Sequence, residues 1–232
     1  MSYWTDIEGK RLNEKDIEFI LGDVLLPKFS HSLTESSKQS LFFCYRSVFQ
    51  STLFFPYLAE KDCPNSLKTC LIQSASQLLT LFNVKSSIPL QTLHLHLLAY
   101  LMQHPIPYII ESAFPARCLH NALQLLPTLP DDPRYVTNVL QLIRVCHSNS
   151  SFTIENISDF RLIMDWITVR QRPLSVANEA LSTIRVILKS YTSPNLQTVL
   201  YSYILWSFST LSQIKQPLSY DQFTHSIEVI RV

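Results

Sequence analysis

Residues 173–188, with the sequence PLSVANEALSTIRVIL, carry the clearest structural signal in the chain. Pro173 stands where the first turn of a helix tolerates a residue without a backbone N–H. Apolar side chains then recur at steps of three and four residues: Val176, Ala177, Ala180, Leu181, Ile184, Ile187 and Leu188. This spacing places them on one face of an α-helix. The stretch therefore predicts an amphipathic helix that packs through that face.

The same spacing occurs along nearly the whole chain. The ten stripes cover residues 17–25, 41–52, 67–82, 90–101, 119–126, 136–146, 157–167, 176–188, 199–211 and 223–230. Strict alternation of apolar and polar residues never lasts long enough to indicate a strand. We therefore predict an all-α fold of about ten helices, with residues 30–37 as a Ser-rich linker. The last stripe runs into Val232 without a stop signal, so we expect a frayed end or further residues beyond it.

Prolines mark the helix starts in the second half of the chain, at Pro133, Pro173 and Pro194. The helix pair between the first two of these prolines spans 40 residues. A period of about 40 residues is typical of paired-helix solenoids. The spacing therefore favours helix pairs that stack one after another.

Residues 173–188 resemble the inner helix of a HEAT or armadillo repeat. The residues that match its pattern of Val, Ala-Leu and a further aliphatic residue are Val176, Ala180, Leu181 and Ile184. Residues 116–126, with Ala122, Leu123 and Leu126, resemble a weaker copy, while Ala177 stands where HEAT repeats usually have Arg or Lys. The resemblance implies an irregular α-solenoid, which we expect to form a single domain over residues 1–232 with a less regular part at 1–62.

The composition excludes several common enzyme classes. Of the 232 residues, 47% are hydrophobic and 16% charged, and the two glycines are Gly9 and Gly22. Glycines so few and so far apart cannot form a phosphate loop, a dinucleotide-binding fingerprint or a nucleophile elbow. We therefore expect a binding protein without a cofactor rather than an enzyme; the alternative is an enzyme whose site is too dispersed to recognise.

The cysteines and the N-terminus bear on the compartment. Five cysteines, an odd number without a C-x-x-C pair, fit a reducing environment better than a disulfide-linked secreted domain. The first ten residues are too polar for a signal peptide, and the most apolar stretch, residues 196–211, is interrupted by Gln, Thr and Ser. We expect an intracellular protein, nuclear or cytoplasmic, that does not span a membrane.

Candidate reactive residues each have a structural explanation. His94 and His96 are two positions apart, so on a helix they point in different directions and should not share a metal ion. Cys118 with His120, and Cys146 with His147, are likewise poorly placed for catalysis. We expect His104, His120 and His147 to bond helix-terminal carbonyls, and Asp131 and Asp132 to cap the helix that starts at Pro133. We predict neither catalytic nor metal-binding residues.

Two charge features remain as candidate interaction sites. Residues 63–130 contain four charged side chains, those of Lys68, Lys85, Glu111 and Arg117; this stretch is either solvated by uncharged polar groups or covered by a partner. A basic cluster consists of Arg161, Arg170, Arg172, Arg185 and Lys189. It belongs either to a solvated helical surface or to a contact with an acidic protein or nucleic-acid phosphate.

These features favour a non-enzymatic scaffold or adaptor subunit of a multiprotein complex. Its partners would be proteins that dock through a helix or a peptide on residues 63–130, and the isolated chain would self-associate through the same region. The alternative is a nucleic-acid- or chromatin-associated subunit that binds through the basic cluster. The net charge of +1 gives no global field that would favour nucleic acid.

Overall fold

The computed structural model describes residues 14–30, 33–50, 63–83, 86–103, 106, 109, 112–149, 162–163 and 173–190. Within these ranges the chain forms helices and no strand. The seven α-helices are α1 (Glu14–Glu18), α2 (Glu35–Gln50), α3 (Asn65–Thr80), α4 (Ile88–Gln103), α5 (Phe114–Leu125), α6 (Pro133–Asn149) and α7 (Leu174–Ser190). A π-helix over Phe19–Leu25 and a 3-10 helix over Leu26–Ser30 continue α1.

The all-α prediction is confirmed, and each of the seven helices falls on one of the ten predicted stripes. Within the described residues the count is seven α-helices, against about ten predicted for the whole chain. The stripes at 199–211 and 223–230 lie outside the described residues, as does that at 157–167 apart from the helical pair Leu162 and Ile163. The prediction of a single domain stays a prediction, and the contacts group the chain into two compact units, residues 1–114 and 115–232.

The first stripe does not form a regular α-helix. The backbone N–H of Leu26 donates to the carbonyl of Leu21, five residues back, which is the wider turn of a π-helix. Leu21 and Leu25 are buried, whereas Val24, predicted to face the core, is 39% exposed. The wider turn changes the spacing of buried positions from that of an α-helix, which turns Val24 toward solvent.

Helices α2 and α4 of the first unit run parallel to each other. Glu35 accepts a hydrogen bond from the backbone N–H of Ser87, and Phe42 stacks on His94. The residue numbers of both partners increase in the same direction, as they do in a parallel pair. Helix α3 runs the opposite way, because Ser74 bonds Tyr45 while the later Leu78 bonds His94, which stacks on the earlier Phe42. The successive helices α2, α3 and α4 therefore alternate in direction.

Burial of α4 accounts for much of the low charge of residues 63–130. Eight of its sixteen residues are buried, and they cover a broad face of the helix: Leu90, His94, Leu95, Leu97, Leu98, Ala99, Leu101 and Met102. None of the sixteen residues is charged, as expected for a helix whose apolar face is wide. Solvent-facing positions of α3 are uncharged instead, at Thr69, Ile72, Gln73, Gln77 and Thr80.

Helices α6 and α7 of the second unit pack in antiparallel fashion. Arg144 on α6 pairs with Glu179 on α7, and the earlier Leu140 accepts a hydrogen bond from the later Thr183. Thr183 is fully buried between the helices. Its hydroxyl also lies 2.7 Å from the carbonyl of Glu179, so the one polar group on this buried face of α7 has acceptors on both helices.

The start of α6 confirms the predicted cap. Asp132 Oδ1 accepts hydrogen bonds from the backbone N–H groups of Arg134 and Tyr135, both at 2.9 Å. These donors have no carbonyl partner within the helix, so the carboxylate satisfies them. Pro133, at the first helical position, has no N–H to satisfy.

None of the described helices is both long enough and apolar enough to cross a bilayer.

Candidate functional site

The basic cluster is described in part. Arg161, Arg170 and Arg172 lie outside the described residues. Arg185 is half-buried and Lys189 is exposed on α7, and residues four apart lie on one face of a helix. The cluster thus includes at least one pair of neighbouring cations.

Glu179 lies on the same helix as Arg185 and Lys189, but it forms an ion pair with Arg144 of α6. Its Oε1 lies 2.6 Å from Nε of Arg144, with side-chain exposures of 17% and 29%. Arg144 lies outside residues 161–189, which hold the basic cluster. Since this pair is partly shielded from solvent, Glu179 is engaged with α6.

His94 joins α4 to the two helices beside it. Its Nε2 lies 2.8 Å from the carbonyl oxygen of Leu78, in the last turn of α3, and its ring stacks on Phe42 of α2 with centroids 4.7 Å apart. Burial lowers the pKa of His94 from 6.5 to about 4, and the positive charge of Lys38 adds to this effect. His94 is therefore neutral at pH 7, with the proton on Nε2 for donation to Leu78.

Other histidines differ from expectation or remain unplaced. His120, expected to bond a terminal carbonyl, instead lies 3.0 Å from the side-chain nitrogen of Gln124 one turn later; it is more than one turn before the end of α5 at Leu125. Burial and then the charge of Arg46 lower the pKa of His96. His104 is outside the described residues, within which no three His, Cys, Asp or Glu side chains are grouped to hold a metal ion.

Cys118 and Cys146 form a contact that sequence reasoning did not find. Both side chains are fully buried, on α5 and α6. Burial raises the pKa of Cys118 well above its usual value, and the hydrogen bond with Cys146 raises it further. A thiol that is both buried and hard to ionise is a poor nucleophile, so this pair fits a packing role.

A concave surface lies beside α2, and we call it the α2 groove. It has a volume of about 490 Å³, within the range of about 300–1,000 Å³ that is typical of binding pockets. Its apolar lining residues are Val24, Leu25, Leu33, Leu41 and Cys44. Its polar lining residues are Lys28, Ser36, Ser37 and Ser40. The π-helix and the 3-10 helix form one wall, and the first half of α2 forms the other.

The start of α2 places the serines of the groove. Residues 30–37 were predicted as a linker, but α2 begins at Glu35, so that part of the prediction is wrong. The backbone N–H of Ser37 donates to Oγ1 of Thr34, which caps the helix and makes Ser36 and Ser37 part of its first turn. A threonine before the first helical residue was the signal that could have located this start.

Exposed apolar side chains are found close to the groove in sequence. Phe19 is 56% exposed, Phe43 47% and Val24 39%. Val24 lines the groove, and Phe43 precedes Cys44 on α2. Large exposed apolar side chains beside a concave surface are typical of a protein-binding site.

Comparisons with models of protein families, with curated proteins and with solved structures found no match to this chain.

Proposed function

We propose that this chain is a non-enzymatic interaction scaffold, a subunit of a multiprotein complex that binds partner segments on its helical surface. The observation that carries this proposal is the α2 groove, where an apolar floor, exposed side chains and polar donors occur together. Such a surface suits the docking of a helix or peptide from another protein. A scaffold of this kind needs no cofactor.

The order of the helices supports a repeat-type scaffold. Helices α2 and α4 are parallel to each other and α3 is antiparallel to both, as the contacts of Phe42, Ser74 and Leu78 require. Alternate helices that run parallel in this way occur in solenoids of the HEAT and armadillo type, which leave long surfaces for partners. Helices α6 and α7 are antiparallel although the 157–167 stripe separates them in sequence, so the support for a repeat comes from the first unit.

A second candidate function is binding of nucleic acid through the basic cluster. Lys189 is exposed one turn from Arg185 on α7, and Glu179 is engaged by Arg144. Cations so arranged can contact phosphates, and such contacts weaken steeply as salt concentration rises.

One purification experiment separates the two functions. The tagged full chain is isolated from cells at two salt concentrations, beside a variant in which Arg170, Arg172 and Lys189 are replaced by Glu. A control variant with Lys15, Arg117 and Arg134 replaced by Glu has the same change in net charge at exposed positions. Bound proteins are quantified by mass spectrometry and bound nucleic acid by absorbance and sequencing.

We expect the same set of proteins with all three chains, little affected by salt, because apolar docking is weakly screened. Recovery of nucleic acid that the cluster variant and high salt both abolish, without a stable set of proteins, would contradict the scaffold and favour the second function. If the cluster is a binding surface, the melting temperature of its variant should match that of the control, because charges that face solvent contribute little to stability.

A further inference from the structure

Three polar groups of the α2 groove have donors to offer to a ligand. The ammonium of Lys28 and the hydroxyls of Ser36 and Ser40 line the groove and are exposed. None of the three makes a hydrogen bond or ion pair with another side chain or backbone group in the described part of the chain. Ser37 differs, because its hydroxyl lies 2.9 Å from that of Thr34. The groove thus combines available donors with an apolar floor.

Lys28 supplies the charge within the lining of the groove, and several ionisable side chains close to the lining in sequence have contacts elsewhere in the unit. Glu35 accepts the backbone N–H of Ser87 at 2.6 Å, and Nζ of Lys38 donates to Ser86 at 3.2 Å. Glu18 and Asp23 lie close enough to Cys70 on α3 to raise its pKa, although burial is the larger cause. Lys28 is the one charged residue among those that line the groove.

We propose that the α2 groove docks an acidic segment of a partner protein, with an apolar side chain on the floor and a carboxylate at Lys28. This inference rests on the proposed scaffold function and names the partner's chemistry. Leu25 and Leu41 are buried beneath the groove at 5% and 4% exposure, so they form a firm floor for an aliphatic or aromatic anchor. Ser36 and Ser40 donate to the carboxylate or to the backbone of the segment.

The openness of the groove favours a protein segment over a small molecule. Four of the lining residues are exposed: Val24, Lys28, Ser36 and Ser40. The groove would therefore not enclose a small ligand, whereas a typical ligand pocket buries about 70–90% of the surface of its ligand. From Ser36 to Cys44 the wall formed by α2 is about 12 Å long at the helical rise of about 1.5 Å per residue. That length matches about two turns of a helix.

The test uses a phage-displayed library of random dodecapeptides selected on the full chain. We expect enrichment of peptides that have a Leu, Ile, Phe or Trp residue within one helical turn of Asp or Glu. The affinity of the synthesised peptides is then measured by fluorescence polarisation against four variants. Lys28→Glu reverses the charge of the groove, and Lys15→Glu makes the same change on α1, outside the lining. Ser40→Trp fills the groove, and Ser47→Trp makes the same change at an exposed position farther along α2.

Lys28→Glu should weaken the binding of the acidic peptides about 10-fold, because the attraction between Lys28 and the peptide carboxylate becomes a repulsion. Selection on this variant should in turn enrich Lys- and Arg-containing peptides. Ser40→Trp should weaken binding at least about 10-fold by blocking the site. The two controls should bind as the wild type does.

Equal binding by wild type, Lys28→Glu and Ser40→Trp, or no enrichment of acidic peptides on the wild type, would overturn the proposal. The purification experiment tests the scaffold function separately, because that function fails only if no stable set of proteins co-purifies with the wild-type chain. If Ser40→Trp retains those proteins at the wild-type level, the scaffold function stands and the groove assignment is wrong.

Discussion

Replacement of Leu181 by Asp is expected to unfold the α6–α7 pair. Leu181 is 3% exposed on the face of α7 that includes Ala180 and Ile184, both fully buried. A carboxylate there would have to be buried without a counterion or open the packing to water. The expected loss in the free energy of unfolding is about 4 kcal/mol or more. Denaturant titration followed by circular dichroism measures it.

The matched control is Ser175→Asp, an exposed position in the first turn of the same helix. A carboxylate near a helix N-terminus is favoured by the dipole, so the change should stay within about 0.5 kcal/mol. If Leu181→Asp melted at the same temperature as this control, the assignment of the buried face of α7 would be wrong.

The stability of the first unit is expected to fall as the pH drops from about 6.5 toward 4. The pKa of His94 is about 4 in the folded protein, against an ordinary value of 6.5. Between these values the unfolded chain binds more protons than the folded one, so folding loses free energy as the pH falls. The full effect is about 3 kcal/mol, lost progressively below pH 6.5. Urea unfolding at a series of pH values measures it.

His94→Gln isolates this effect, because glutamine retains a donor for the Leu78 carbonyl and does not titrate. The variant should lose stability at pH 7 through the lost stacking on Phe42, yet it should show a flatter dependence between pH 6.5 and 4. His120→Gln is the control, because it makes the same substitution at an exposed position on α5. The pH dependence of its stability should match that of the wild type. A wild-type profile no steeper than that of His94→Gln would contradict the buried, neutral assignment.

The helices themselves were largely predictable from apolar spacing, because each stripe reports a face that its helix buries. Val176, Ala180, Leu181 and Ile184 are all buried as predicted. The cap at Asp132 was equally predictable, since its chemistry is local to a few residues. What the spacing missed at Val24 is a π-helical turn, and the same segment packs closely against α3 at Gly22. A Cβ at Gly22 would sit 3.2 Å from Sγ of Cys70, so close packing there depends on a partner distant in sequence.

The candidate site was not predictable for the same reason. Lys28 and Ser40 belong to different elements, and neither carries a recognisable motif. Their convergence depends on the turn through Pro27 and on the start of α2, both of which are tertiary outcomes. The contact of Cys118 with Cys146 and the bond of His94 to Leu78 likewise join helices through packing. Local sequence patterns indicate which residues are buried, but they do not determine which residues contact each other across helices.

Hydrogen–deuterium exchange on the full chain, alone and with its co-purified proteins bound, tests most directly the claim that the α2 groove is the docking surface. We predict slower exchange in residues 24–28 and 36–44 of the complex and unchanged exchange at the uncharged face of α3 around Thr69 and Gln73. Protection confined to residues 173–190, or no protection in the two groove segments, would contradict the account.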